Sequence, residues 1–215
     1  DYGPLVDQSD IPARKLRNVT GHAVRAVYYY CAIADLAGIE KDDELLESAK
    51  ALFDDIYNRK MYITGGIGAV INSETFSAAY HLPNREAYAE TCAALGLALF
   101  ASRMYSMIPD GRYGDAAERA LYNGMLSGLS ISGDRFFYEN PLEINTSLAA
   151  VPNLHQVPLE RVKVFFCSCC PPNLVRMIPS VAGLAYTVDN DTLFVHQYIP
   201  TSGKSGDITV NTETD

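Results

Sequence analysis

Apolar positions recur at helical spacing along most of the chain. Val24, Val27, Tyr28 and Cys31 mark one face of a first helix from 21 to about 36, with Gly38 as its expected stop. Leu45, Leu46, Ala49, Leu52, Phe53, Ile56 and Tyr57 mark a second, capped by Asp42 or Asp43 and running to about residue 59. The short connection between them predicts an antiparallel pair. From 61 to 77 the period fails at Gly65-Gly66-Ile67-Gly68, and Tyr62, Ile63, Val70 and Ile71 predict short extended pieces in a structured loop. These glycines do not form a phosphate loop, because no Lys-Ser/Thr follows them; a tight turn with close backbone approach is the expectation.

The helical pattern returns with Leu95, Leu97, Leu99, Phe100, Met104 and Tyr105, stops at Pro109-Asp110-Gly111, and resumes from about 113 to 126. Residues 134–164 read as strands and loops, with Arg135-Phe136-Phe137-Tyr138 and Val162-Lys163-Val164-Phe165-Phe166 as the strand candidates. A fifth helix is expected after Cys170, because Pro171-Pro172 suits first helical positions where a missing N–H is tolerated. Leu174, Val175, Ile178, Val181, Ala182 and Ala185 give that helix its buried side. Beyond it, 192–198 and 207–210 are β-like, so the architecture is expected to change near residue 188. Paired helices followed by strands predict a mainly α protein.

Composition narrows the functional classes. The chain has 215 residues, 48% of them hydrophobic and 20% charged, which suits a folded core. Its 17 Lys+Arg against 26 Asp+Glu give a net charge of -9, which argues against nucleic acid as a partner. No apolar run approaches the roughly 20 residues a membrane helix needs.

Three of the five cysteines crowd into Cys167-Ser168-Cys169-Cys170, unlike a secreted disulfide framework. Reduced thiols suggest a reducing compartment, which favours the cytoplasm, or a metal that shields the thiolates. Because the chain begins Asp1-Tyr2-Gly3-Pro4 without an initiator Met, a periplasmic or secreted origin stays open.

Cys169-Cys170 stands at a predicted helix start, where unpaired N–H groups and the macrodipole favour a thiolate. Zinc takes four ligands, so a second source is needed, and Glu90-Thr91-Cys92 offers one. Residues two apart face nearly opposite sides of a helix. Glu90 and Cys92 can therefore share a metal only if the helix begins at about Thr91 or Cys92, with Thr91 as a candidate cap. Taken singly, each cysteine reads equally as a small buried apolar residue.

Five separated runs resemble glycoside hydrolase family 127 in the same order: Gly21-His22-Ala23-Val24-Arg25, Tyr62-Ile63-Thr64-Gly65-Gly66-Ile67-Gly68, Tyr88-Ala89-Glu90-Thr91-Cys92-Ala93, Ala120-Leu121-Tyr122-Asn123-Gly124 and Cys167-Ser168-Cys169-Cys170-Pro171-Pro172-Asn173. The resemblance spans about residues 15–200. It implies a retaining exo-glycosidase that releases β-linked L-arabinofuranose from an oligosaccharide or glycopeptide, with a homodimer among the assemblies it admits. It implies Zn2+ held by Glu90, Cys92, Cys169 and Cys170, with Cys169 as nucleophile and Glu90 as acid/base. His22, Glu74 and Tyr138 would line the sugar pocket, Cys167 would be a structural neighbour, and His81, His155 and His196 receive no role.

The implied fold is the later part of an (α/α)6 barrel of the six-hairpin glycosidase type over residues 1–188, then the start of a β-sandwich domain over 189–215. Such a barrel has twelve helices, so the chain is expected to be a part of one. Two other readings fit the same residues: a relative with another sugar specificity, and a non-catalytic module with a closed structural zinc. The accessibility of Cys169 separates the last from the others.

Overall fold

A computed structural model describes residues 3–148 and 157–213; His155 lies outside them. The described residues are mainly helical, with two small β-hairpins at the C-terminal end. After a short α1, Gly3–Asp7, the main helices are α2, Ala23–Glu40, α3, Asp43–Asp55, α4, Thr91–Met107, α5, Gly111–Arg119, and α6, Cys170–Met177.

The first helix runs four residues past its expected end. Gly38 faces α4, where an added Cβ would meet Met107 Sδ at 3.3 Å, and Lys41 ends the helix instead, at φ 55°. Asp42 is the cap of α3, accepting from Leu45 N. Past Asp55 the second helix widens into a π-type turn, Ile56–Lys60. There the buried Asp55 carboxylate gathers Val19 N, Arg59 and Lys60 at 2.6, 2.7 and 3.0 Å.

Among the described residues, the largest of three buried apolar clusters lies between α2, α3, α4 and α5. Val27, Tyr30, Ile33 and Ala34 of α2 bury against Leu97, Phe100, Ala101 and Met104 of α4. Gly96 permits that crossing, since a Cβ there would lie 2.4 Å from Val27 Cγ2. Phe53 is the hub: its ring lies 4.4 Å from Tyr113, 5.7 Å from Tyr57 and 6.1 Å from Phe100, and it is fully buried. Phe53→Ala is expected to destabilise the fold by about 3–5 kcal/mol. Denaturant unfolding checks this, and a loss under about 1 kcal/mol would contradict this packing.

The loop 61–77 is extended and bridged, as its composition predicts. Met61 pairs with Ile67, and Thr75 pairs with both Val70 and His22. Gly65, at φ 81°, lies against the chain at Ala120, where a Cβ would come within 2.5 Å of the backbone nitrogen. There the fourth predicted helix leaves α-geometry: α5 ends at Arg119 and wider turns continue as Ala120–Met125.

Two strand expectations are corrected. Arg135-Phe136-Phe137-Tyr138 and 162–166 form no strands; Phe136 makes isolated bridges to Leu129 and Val162 only. Phe165 and Phe166 both turn toward Tyr138, at 5.3 and 6.3 Å, instead of alternating across a sheet. The fifth helix is shorter than its apolar pattern. Pro179 removes a ladder N–H, and the chain continues as a 3-10 segment, Ile178–Leu184.

The β-segment contains β1, Tyr186–Asp189, paired with β2, Thr192–Val195, and β3, Ser202–Ser205, paired with β4, Ile208–Asn211. The sequence pattern caught β2 and β4 and missed their partners. Tyr105 of α4 anchors the first hairpin by donating to Leu184 O at 2.7 Å and stacking on His196 at 3.7 Å. Among the described residues, no helix is long and apolar enough to cross a membrane.

Candidate metal centre and active site

Two helix starts bring the chemistry together. Glu90 caps α4 with extended backbone, φ -63° and ψ 140°, so it leaves the chain before the helix begins while Cys92 lies inside the first turn. This is the arrangement that lets residues two apart face one point. The cap is Glu90, not Thr91, whose hydroxyl donates to Phe137 O at 2.8 Å. Cys169 caps α6, and Cys170 is its first residue with Pro171-Pro172 behind it. Both helices present unpaired N–H groups and positive dipole ends to the acidic side chains.

The four side chains meet. Cys92 Sγ is 3.3 Å from Cys170 Sγ and 3.6 Å from Cys169 Sγ, and the last two are 3.9 Å apart. Glu90 Oε1 lies 3.1 Å from Cys169 Sγ and 3.4 Å from Cys170 Sγ. One donor atom from each of the four falls within 4.8 Å of the others. Three thiolates and one carboxylate around a tetrahedral zinc stand about 3.5–3.8 Å apart, so the donor set and its spacing fit that ion.

Electrostatics point the same way. Burial, reinforced by the neighbouring Cys169 sulfur, pushes Glu90 up to about 8. Hydrogen bonds from Cys169 and then Cys170 draw Cys92 down to about 5, whereas contacts with Cys169 and Cys92 push Cys170 up. The cluster thus accepts a first negative charge readily and resists further ones. A bound cation removes that conflict. All five cysteines are free thiols; Cys31 is buried in the main core, and burial raises it to about 12, so it is inert.

Accessibility divides the four. Glu90, Cys92 and Cys170 are no more than 1% exposed, whereas Cys169 is exposed. Cys169 is therefore the one thiol of the cluster that an incoming molecule can reach.

A second chain of polar groups leads to it. His22 caps α2: its Nδ1 accepts from Val24 N at 3.2 Å, so Nε2 carries the proton and donates to Glu74 Oε2 at 2.8 Å. Glu74 holds a left-handed φ of 57°, and its carbonyl accepts from Ala23 N, which pins the loop to α2. The Tyr138 hydroxyl lies 3.4 Å from Glu74 Oε1 and 3.7 Å from Cys169 Sγ. The structure thus brings His22, Glu74 and Tyr138 to the same place as the thiols. Cys167 borders Tyr138 at 3.8 Å, and His81 and His196 lie elsewhere, the latter bound to Thr187 at 2.7 Å.

Several contacts were not singled out by sequence reasoning. The Tyr88 hydroxyl donates to Glu90 Oε2, and burial raises this phenol so that it keeps its proton. Asn173 Nδ2 donates to Cys92 Sγ at 3.1 Å. Phe165 stacks on Tyr138 and continues into the exposed Phe166, an apolar surface beside Cys169. Tyr88 and Asn173 both lie inside the motif runs, which was the available signal.

Comparison with known proteins supplies the family. Residues 2–183 match the Beta-L-arabinofuranosidase, GH127 catalytic domain. The non-reducing end β-L-arabinofuranosidase of Bifidobacterium longum is 37% identical over 200 residues, covering 92% of this chain and 30% of that protein. A crystal structure of a GH127 β-L-arabinofuranosidase from Geobacillus stearothermophilus T6 superposes with a TM-score of 0.92 at 40% identity, covering all of this chain and 34% of that one. A second GH127 β-arabinofuranosidase structure gives 0.84 at 39% identity, over 94% of this chain and 30% of that one. The chain spans about a third of the length of these relatives. By motif order, fold and family match together, it belongs to glycoside hydrolase family 127, the β-L-arabinofuranosidases.

Proposed function

We propose that this chain carries the catalytic centre of a retaining exo-glycosidase that hydrolyses β-L-arabinofuranosides, with Cys169 as nucleophile. The observation that carries the reading is the division of the cluster into three buried donors and one exposed thiol. A purely structural zinc has no need of an open ligand. Glu90, Cys92, Cys169 and Cys170 would hold Zn2+. When bound, the ion keeps the thiols deprotonated at neutral pH and offsets their crowded charge.

The protein groups then divide the work. Cys169 Sγ attacks the anomeric carbon, a C–S bond forms, the glycosidic C–O bond breaks, and the leaving oxygen takes a proton from a carboxylic acid. In the second step the carboxylate takes a proton from water, the hydroxide adds to the anomeric carbon, and the thiolate departs.

The resemblance assigns that acid to Glu90, whose carboxyl is pushed up to about 8 by burial when no metal is bound. Geometry takes precedence over pKa in such a choice. Glu90 is 1% exposed, with one oxygen held by Tyr88 and the other facing Cys169 and Cys170. Glu74 is 32% exposed, oriented by His22, and one hydroxyl away from Cys169. We therefore assign proton transfer to Glu74 and ligation to Glu90, with His22 and Tyr138 positioning Glu74 and contacting the sugar.

We also read residues 1–188 as part of an (α/α)6 barrel and 189–215 as the start of a β-domain. The antiparallel helices and the hairpins from Tyr186 onward support this.

The intact protein tests the activity. It is expected to cleave an aryl β-L-arabinofuranoside with retention, observed by NMR of the first-formed sugar, and to lose turnover when zinc is stripped by a chelator and regain it on zinc addition. Faster cleavage of a different furanoside would move the sugar assignment while leaving the centre in place. Full activity without zinc would defeat the proposal.

A further inference from the structure

A set of hydrogen bonds that reaches the cluster at Cys92 has no part in the proposed proton transfer. Asn173 Nδ2 donates to Cys92 Sγ at 3.1 Å. Its Oδ1 accepts from the Tyr28 hydroxyl at 3.2 Å and from Arg176 Nη2 at 2.8 Å, and the same Nη2 donates to the Tyr28 oxygen at 2.6 Å. Tyr28 stands on α2, Asn173 and Arg176 on α6, and Cys92 on α4.

The polarity of this chain is dictated, not chosen. A guanidinium has only donors and does not give up its proton. The Asn173 atom facing Arg176 must be the oxygen, which turns the NH2 group toward the sulfur. Tyr28, already accepting from Arg176, has its own hydrogen left for Asn173 Oδ1. The Arg176 side chain also covers the Tyr28 ring, 5.6 Å from its centroid, which holds the phenol in place. Asn173 is one turn into α6, so its bond to Cys92 ties the helix that carries Cys169 and Cys170 to the helix that carries Cys92.

We propose that Asn173 is a positioning residue, locked in one amide orientation by Arg176 and Tyr28, whose N–H directs the Cys92 sulfur and sets how tightly the centre holds zinc. The inference rests on the reading of the cluster as a zinc centre. A hydrogen bond to a charged sulfur stabilises it and restrains its direction, and partners of this kind change metal affinity by about 10–100-fold. Without Arg176 the amide is free to turn over and present oxygen to the sulfur, which repels it.

Chelator competition on the intact protein measures zinc affinity, and cobalt substitution reports the sulfur directly through its thiolate-to-metal charge-transfer band. Asn173→Ala is expected to weaken zinc by about 10–100-fold and to move that band to longer wavelength, because a sulfur without its hydrogen bond gives up charge more easily. Arg176→Met, on an exposed face, is expected to weaken zinc by about threefold to tenfold with a shift in the same direction. Unchanged affinity and an unchanged band in Asn173→Ala, in a protein whose parent binds zinc, would overturn this inference alone. A parent protein that binds no zinc would overturn it together with the metal centre. Unchanged values in Arg176→Met would remove the locking role.

Discussion

Cys169→Ser is expected to lower hydrolysis of an aryl β-L-arabinofuranoside by about 10³-fold or more while leaving the helical fold intact. Serine keeps the size and the site but replaces a thiolate by a hydroxyl, which stays protonated at neutral pH and is a far weaker nucleophile. Cys169 is exposed and lies outside the three buried clusters of apolar side chains, so the substitution opens no cavity. The measurement is kcat beside the circular dichroism spectrum and the thermal midpoint. Turnover within a few-fold of the parent would remove Cys169 from the reaction. Cys170→Ser makes a useful contrast, because Cys170 is fully buried and offers nothing to a substrate: its loss is expected to act through zinc release.

Glu74→Gln and Glu90→Gln separate two duties that the family resemblance assigns to one residue. Glu74→Gln is expected to lower turnover of a sugar with a poor leaving group by about 10²–10⁴-fold. With an activated aryl leaving group the first turnover should survive as a burst of released alcohol, since protonation is no longer needed. The zinc content should not change. Glu90→Gln is expected to release zinc and to lose activity whatever the leaving group. If Glu90→Gln retained zinc and showed the burst, proton transfer would return to Glu90.

Much of the centre was legible in the chain because it is built from local rules. Cys169-Cys170-Pro171-Pro172 announces a helix start, and α6 begins at Cys170. The requirement that Glu90 and Cys92 face one point demands a helix that begins between them, and α4 begins at Thr91. What could not be read depends on packing. Nothing in Glu90-Thr91-Cys92 tells that both Glu90 oxygens are engaged by Tyr88 and the thiols, and nothing in residues 72–75 tells that Glu74 is turned to His22 and Tyr138.

The fold shows the same boundary. Helix existence followed from the 3.6-residue period, but α2 outran Gly38 because that glycine faces Met107, a contact made only in the folded protein. Arg135-Phe136-Phe137-Tyr138 reads as a strand because aromatic residues favour strands. Its Tyr138 is held instead by Glu74, Phe165 and the thiols, so its side chain serves the centre and the backbone forms no ladder. The partners of β2 and β4 were missed although Asn190-Asp191 and Gly206-Asp207 are hairpin turn pairs.

The most direct test is covalent capture. An arabinofuranose-configured inactivator with an electrophilic anomeric carbon is incubated with the zinc-loaded intact protein, which is then digested and its peptides weighed. A sugar-sized increment on the peptide spanning 167–173, located by fragmentation at Cys169, is the predicted result. An increment on a peptide carrying Glu74 or Glu90, with Cys169 unmodified, would contradict it.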